Sequence, residues 1–136
     1  MNVDEIKELL VSRIVYFLEP YLEKLHQYSI QGEGGKIDIV GAIDDQATSL
    51  FVLVRIFISE EFRKIYISNI NLPEFMRHQG VGRKVIKVIH KAATESGYEL
   101  FVALVPKSFY DSLIKRGALE CDKINMLKIV NSTVLD

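Results

Sequence analysis

Apolar residues recur at helical spacing over the first part of the chain. Within Val3–Leu18 they fall on one side at intervals of three and four residues: Ile6, Leu9, Leu10, Ile14, Phe17 and Leu18. Pro20 suits the first turn of a helix, so the pattern predicts a second, short helix over Pro20–Gln27. The glycine-rich segment Gln31–Gly35 then predicts a turn.

Three runs rich in β-branched and aromatic residues follow, and they predict strands over Lys36–Ile43, Ser49–Ser59 and Lys64–Leu72. The short polar connections between these runs favour antiparallel pairing of neighbouring strands. Arg83–Ser96 has the periodicity of an amphipathic helix, and Gly97 stands where a helix C-terminus is usually closed.

The remaining sequence predicts a strand, a short helix and a closing hairpin. Leu100–Val105 is a continuous apolar run, typical of a strand buried on both faces. Ser108–Arg116 predicts the helix, and Leu119–Asp122 with Asn125–Val130 predicts the hairpin. The order of elements, α-α-β-β-β-α-β-α-β-β, indicates an α/β fold with a mixed, mostly antiparallel sheet around a central β-α-β unit. A length of 136 residues suits one domain over 1–136.

The composition excludes several classes of protein. A net charge of −1 without runs of like charge argues against a nucleic-acid or membrane-surface binder. The apolar runs are too short to cross a membrane, and the acidic residues Asp4, Glu5 and Glu8 occupy the place of the basic region of a secretory signal. Cys121 is the single cysteine, and no His, Cys, Asp and Glu have metal-ligand spacing. We therefore expect a cytoplasmic protein without a metal site.

The most informative segment joins the third predicted strand to the amphipathic helix. Its residues are Arg77, His78, Gln79, Gly80, Val81 and Gly82. A helix start leaves about four backbone N–H groups without internal partners, and Ser, Thr, Asp or Asn usually caps them. Here glycines occupy the cap position, while Arg77, Arg83 and Lys84 gather where the helix dipole already favours negative charge. This arrangement is unfavourable for an empty helix end and favourable for one that binds an anion such as a diphosphate.

Two common phosphate-binding loops do not match this segment. A Walker loop requires G-x-x-x-x-G-K-[ST], and a dinucleotide-binding fingerprint requires a third glycine where this chain has Val85. The segment is R-x-x-G-x-G between a strand and a helix, and in this it resembles the [Q/R]-x-x-G-x-[G/A] motif of the GNAT superfamily of acetyl-CoA-dependent N-acetyltransferases. The order of elements matches the GNAT plan over most of the chain, and Met126–Lys128 resembles the closing strand of that family.

The resemblance implies transfer of an acetyl group from acetyl-CoA to a primary amine by direct attack. It also implies that the pantetheine arm of the cosubstrate pairs with Ile70, Asn71 and Leu72, and that the loop Arg77–Arg83 holds the diphosphate. Tyr110 is the first candidate for the acid that protonates the leaving thiolate, since many family members have F-Y-x-x-x-G-F on the corresponding helix. In this chain Gly117 follows the tyrosine by seven residues instead of four, and alignment on Gly117 places Leu113 there.

The base that deprotonates the amine is open among several residues. Tyr66, Ser68 and Asn69 lie on the lead-in strand, and the turn carboxylates Glu60, Glu61 and Glu74 are alternatives. GNAT proteins usually begin with a strand, which this chain lacks, so either the sheet lacks that edge or a partner chain supplies it in a homodimer.

The weak base and displaced tyrosine leave two other functions open. One is a GNAT-fold sensor or interaction module that binds acyl-CoA with little or no turnover. The other is an unrelated α/β domain with an incidental glycine loop. The acceptor amine is not identified by the sequence.

Overall fold

A computed structural model describes residues 1–45, 50–103, 106–121 and 125–136 of the chain. The helices are α1 (Val3–Leu22), α2 (Val81–Glu95) and α3 (Lys107–Lys115), and a short 3-10 turn covers Glu74–Met76. The strands are β1 (Gln27–Gln31), β2 (Lys36–Ala42), β3 (Phe51–Ser59), β4 (Lys64–Ile70), β5 (Glu99–Ala103), β6 (Leu119–Glu120) and β7 (Met126–Ile129). The predicted strand ends at Ser49, Val105 and Asp122 lie outside the described residues.

The strands form one sheet in the order β1-β2-β3-β4-β5-β7-β6. Only β4 and β5 run parallel among the described strands, and α2 connects them. The other neighbouring strands are antiparallel. The prediction of a mixed, mostly antiparallel α/β sheet around a central β-α-β unit is therefore confirmed, as is the closing hairpin.

The first helix is longer than the sequence pattern indicated. Asn2 and Glu5 form a reciprocal capping box at its start, and the helix passes through Pro20 to Leu22. The prediction of a separate helix over Pro20–Gln27 is wrong. Continuing the same helix keeps Leu22 on the buried stripe at i+4 spacing, and this packing outweighs the hydrogen bond that a proline removes. The stripe consists of Ile6, Leu10, Ile14, Leu18 and Leu22.

The edge strand β1 was missed by the sequence analysis. Its five residues pair antiparallel with β2, and the hairpin turn between them contains Gly32 and Gly34, both with positive φ. No strand precedes α1 in the part of the chain that the structure describes, as expected. The sheet edge beside β2, which the sequence analysis left to an absent strand or a partner chain, is occupied by β1 of this chain.

The two faces of the sheet differ in character. Apolar side chains from the strands form one buried cluster with the helices, including Ile37, Ile39, Val54, Ile56, Ile65, Ile67, Leu100, Val102, Leu127 and Ile129. Alternate positions on the opposite face are charged or aromatic. There Arg55 Nε donates to Asp38 Oδ1 at 2.8 Å, and this hydrogen bond lowers the pKa of the Asp38 carboxyl against the opposing effect of its burial.

Candidate functional site

β4 extends beyond the pairing with β5 that the described residues show. The pairing of these two strands runs from Lys64 opposite Glu99 to Ile67 opposite Val102, while β4 continues to Ile70. Ser68 is an extra residue in the pairing of β4 with β3, a β-bulge that bends a strand locally. Its Oγ is buried and has no hydrogen-bond partner among the described residues. The bulge therefore lies where β4 continues past the last described pair with β5, Ile67 opposite Val102.

Helix α2 begins near the end of β4, and its first turn has no side-chain cap. Gly80 is the N-cap residue of α2, and its φ of 72° lies in the left-handed region. As a glycine it has no side chain that could accept a hydrogen bond from the first N–H groups of the helix. The first turn of α2 contains no acidic residue. Because the N–H groups at a helix start are unpaired and the helix dipole favours negative charge there, this end of α2 is suited to bind an anion.

Side chains of the preceding loop hold its backbone in place. Arg77 Nε donates to the Leu72 carbonyl oxygen at 2.9 Å, and Gln79 Nε2 donates to the Phe75 carbonyl oxygen at 2.7 Å. The Arg83 guanidinium lies directly over Gly80, where an added Cβ would stand 2.7 Å from its Nη2. A side chain at position 80 would therefore displace the end of the arginine side chain, and the positive φ of Gly80 would strain its backbone.

A cleft of about 700 Å³ opens between the end of β4, the start of α2 and α3. Most of the site residues predicted from sequence line this cleft together: Ile70, Asn71, Leu72, Arg77, His78, Gly80, Val81, Gly82 and Arg83. Two of the predicted residues do not line it. The exceptions are Gln79, which binds the loop backbone, and Tyr110. One wall of the cleft is therefore contiguous in sequence.

The opposite wall was missed by sequence reasoning. It consists of Pro106, Ser108, Phe109, Ser112 and Arg116, from α3 and its two ends, while Met76, also missed, belongs to the first wall. Ser108, Ser112 and Arg116 recur every four residues, so they share a polar face of α3. This periodicity was visible in the sequence, although nothing in it indicated which side of the helix meets the cleft. The walls meet where a Cβ added to Gly82 would lie 3.0 Å from the Phe109 ring.

The charge of the cleft has one sign. Arg77, Arg83 and Arg116 line it with His78, and no Asp or Glu belongs to the described lining. Arg83 takes part in no ion pair among the described residues. A guanidinium group without a described ion pair, beside the N–H groups of a helix start, suits a ligand with phosphate charges.

The remaining candidates from the sequence are not among the described lining residues of this cleft. Burial raises the pKa of the Tyr110 hydroxyl, and the neighbouring Glu120 and Cys121 add to the effect. Tyr66 stacks on Phe101, with ring centroids 5.5 Å apart. The described lining therefore contains none of the proposed bases.

Two further candidate bases, Asn69 on the lead-in strand and Glu60 in the turn before it, bind backbone groups elsewhere. Asn69 Nδ2 donates to the Val52 carbonyl oxygen at 3.1 Å, and Glu60 accepts a hydrogen bond from the backbone N–H of Val3 at the start of α1. Over the described ranges, no three His, Cys, Asp or Glu side chains are grouped to hold a metal ion. Within the same ranges, no helix has the length and apolar character needed to cross a membrane.

Comparisons with known proteins give matches of structure alone. No protein-family model matches the chain, and no curated protein sequence matches it. The crystal structure of a nourseothricin acetyltransferase is similar with a TM-score of 0.46 and 17% identity, covering 69% of each chain. An aminoglycoside acetyltransferase from an uncultured soil metagenomic sample, solved with trehalose and with sisomicin, has a TM-score of 0.40 and 16% identity over 85% of this chain and 82% of that one. Likeness at this level carries no argument about activity, which has to come from the cleft itself.

Proposed function

We propose that this protein is an N-acetyltransferase that binds acetyl-CoA in the cleft and transfers the acetyl group to a primary amine. The observation that supports the proposal is the uncapped start of α2 at Gly80, in a cleft lined by three arginines and no described carboxylate. Coenzyme A has a diphosphate and a ribose phosphate, so its charge complements such a lining. Its narrow pantetheine arm suits the end of β4 and the residues after it, where Ile70, Asn71 and Leu72 line the cleft.

In this proposal each part of the donor has its own contacts. The N–H groups at the start of α2 bind the diphosphate, and Arg83 adds a charged donor beside Gly80. The pantetheine arm follows Ile70–Leu72 along the end of β4, where the thioester meets the acceptor. The protein thereby holds the two reactants in a productive orientation, which is a major source of rate enhancement.

The reaction proposed is a direct displacement. The neutral amine attacks the thioester carbonyl carbon, a C–N bond forms, the C–S bond breaks, and the thiolate takes up a proton. We propose Tyr110 as the source of that proton, since a tyrosine hydroxyl is protonated at neutral pH and the thiolate is a strong enough base to take its proton. Burial raises the pKa of Tyr110, so its proton passes to the thiolate less readily than that of an exposed tyrosine. The proton that leaves the amine passes to water in the absence of a described carboxylate in the lining.

Calorimetric titration of the purified protein with acetyl-CoA, and separately with CoA, tests the binding step. We expect one site per chain with a micromolar dissociation constant and a rise in melting temperature as ligand saturates the protein. A screen of primary amines for CoA release then tests turnover. Absence of both binding heat and thermal shift at millimolar ligand would refute the proposal.

Replacement of Tyr110 by phenylalanine tests the proton donor. We expect kcat to fall by about 10²-fold, in the usual range for losing a general acid, while the dissociation constant for acetyl-CoA stays within about twofold. Tyr16→Phe on the exposed side of α1 is the matched control and should leave kcat unchanged. An unchanged kcat in Tyr110→Phe would assign the protonation step to water.

The same lining also supports a second candidate function. A described cleft with neither a carboxylate nor Tyr110 in its wall has a built anion site and little machinery for proton transfer. Such a protein would bind acyl-CoA as a sensor or interaction module. Tight binding in the titration without CoA release for any primary amine would favour this function over the enzyme.

A further inference from the structure

We infer that a second copy of this chain pairs with the edge strand β1, so that the two sheets join into one across a two-fold axis at Ser29. The strand β1 is separated by β2 and β3 from β4, whose end borders the cleft. This interface is therefore independent of the proposed function.

The sheet edge at β1 lacks the features that usually keep a strand edge from pairing with another chain. An edge strand presents unpaired backbone N–H and C=O groups, and proteins protect it with charges, proline, a bulge or a very short strand. β1 has five residues, of which none is charged and none is proline. Its pairing with β2 runs over all five residues without a register shift. Among the described strands, β1 has no neighbour on its other side.

The opposite edge of the sheet is protected in two ways. The described strand there, β6, has two residues, Leu119 and Glu120, and one of them is a carboxylate. A short, charged strand is a poor template for another chain. The two edges therefore differ, and pairing between copies is assigned to β1.

A two-fold axis perpendicular to the sheet restricts which residues of the two β1 strands oppose each other. Such an axis makes the strands antiparallel and keeps both helix-covered faces on one side, so a residue opposes only a residue of the same face. Tyr28 and Ile30 share one face of β1, and Gln27, Ser29 and Gln31 share the other. An axis at Ser29 pairs all five residues, whereas an axis at Tyr28 or Ile30 pairs only three of them.

The register centred on Ser29 is self-complementary. On one face it places Tyr28 opposite Ile30 of the second copy, an aromatic and β-branched pair that stabilises neighbouring strands. On the other face Gln27 lies opposite Gln31, and each amide both donates and accepts hydrogen bonds. No like charges meet. Because Tyr28 is 40% exposed and Ile30 is half-buried, the pairing removes apolar surface from water.

Helix α1 leaves room for the second copy beside β1. The helix packs over β2 and β3, inward of the edge. The α1 helices of the two copies lie on the same side of the joined sheet, and both β1 strands run between them.

Disulfide trapping tests the register. In Ser29→Cys the two introduced cysteines oppose each other with Cα atoms about 4.5–5.5 Å apart, which is within the range of a disulfide. Mild oxidation should convert most of this variant to a covalent dimer of twice 15.5 kDa. Gln27→Cys is the matched control, because its two cysteines would lie about 14 Å apart along the strands and should stay unlinked. The unmodified chain, whose single cysteine is Cys121, gives the background.

Sedimentation equilibrium tests association without a cross-link. We expect the unmodified protein to form dimers with a micromolar dissociation constant. Ser29→Lys and Ser29→Glu should each raise this constant by about tenfold or more, because like charges then oppose each other across the axis. An equimolar mixture of the two variants should restore the dimer, since lysine then opposes glutamate. Ser12→Lys, the same substitution at an exposed position of α1, should leave the constant unchanged.

The contrary outcomes are distinct from one another. A protein that stays monomeric at about 1 mM overturns the inference and leaves the edge to a strand of a different protein. A dimer that both charged variants retain, or a Gln27→Cys variant that cross-links as readily as Ser29→Cys, also overturns it, because the interface or register is then a different one. If a charged variant lowers the melting temperature, the two cysteine variants decide, since they add no charge. Loss of acetyl-CoA binding would refute the proposed function and leave this interface untouched.

Discussion

Replacement of Gly82 by glutamate is expected to weaken acetyl-CoA binding by about 100-fold or more, since juxtaposed like charges cost several kcal/mol and each 1.4 kcal/mol is about tenfold. Gly82 lies buried in the first turn of α2. A side chain there would point at Phe109 and Ile70, both of which line the cleft. The added carboxylate would thus enter the site where the helix start and Arg83 favour an anion. Calorimetric titration of the variant measures the loss.

Three further variants isolate the charge from the added bulk. Gly82→Gln introduces nearly the same volume without charge, so it should weaken binding less than glutamate does. Gln27→Glu makes a one-charge change at an exposed position on β1 and should leave binding unchanged. Should neither Gly82 variant fold, Arg83→Gln is expected to weaken binding by about tenfold through loss of one charge-assisted contact. Unchanged affinity in Gly82→Glu would remove the anion site from the start of α2.

Replacement of Leu10 by alanine is expected to lower the free energy of unfolding by about 2–5 kcal/mol, as for other fully buried leucines. Leu10 has no exposed surface and lies in the middle of the buried stripe of α1. Truncation removes apolar contacts and leaves a cavity that the neighbouring helix and strands close only in part. Urea unfolding followed by far-ultraviolet circular dichroism measures the change.

The matched control for Leu10 is Tyr16→Ala on the same helix. The Tyr16 side chain is 83% exposed, so its removal should change the free energy of unfolding by no more than about 0.5 kcal/mol. A loss below about 1 kcal/mol in Leu10→Ala would mean that α1 packs less tightly than its burial indicates. The distinction matters for the site, because α1 packs against α2, whose first turn forms the proposed anion site.

The residues of the two walls of the cleft are arranged differently along the chain. Donor contacts on one wall come from a contiguous segment, Ile70–Arg83, in which strand, loop and helix start follow one another. The opposite wall comes from α3, and its last member is oriented by the chain end near Asp136. If acetyl-CoA binds as proposed, its affinity depends on the local glycine loop and also on contacts that exist only after α3 and the chain end have packed.

Errors in the sequence analysis cluster where tertiary packing overrides local preference. Pro20 favours a helix start, yet burial of Leu22 on the stripe of α1 keeps the first helix intact. Gln27–Gln31 has a polar and apolar mixture with no strong local signal, and it becomes a strand because β2 offers it an unpaired edge. Neither outcome can be obtained from residues within a few positions of the segment itself.

The sequence by itself determined the order of most helices and strands, the parallel central pair and the glycine loop with its uncapped helix start. These features depend on local periodicity and on backbone conformations that glycine favours. Both are determined by residues close together in the sequence. Tertiary structure alone decided the passage of α1 through Pro20, the strand β1, the bulge at Ser68 and the second wall of the cleft. It also decided that Arg116 lines the cleft while the side chain of Asp136 pairs with Lys87. The physical reason is that burial and charge pairing depend on residues far apart in sequence. Burial of one large apolar side chain contributes about 1.5–3 kcal/mol, whereas local propensities differ by about a few tenths of a kcal/mol per residue.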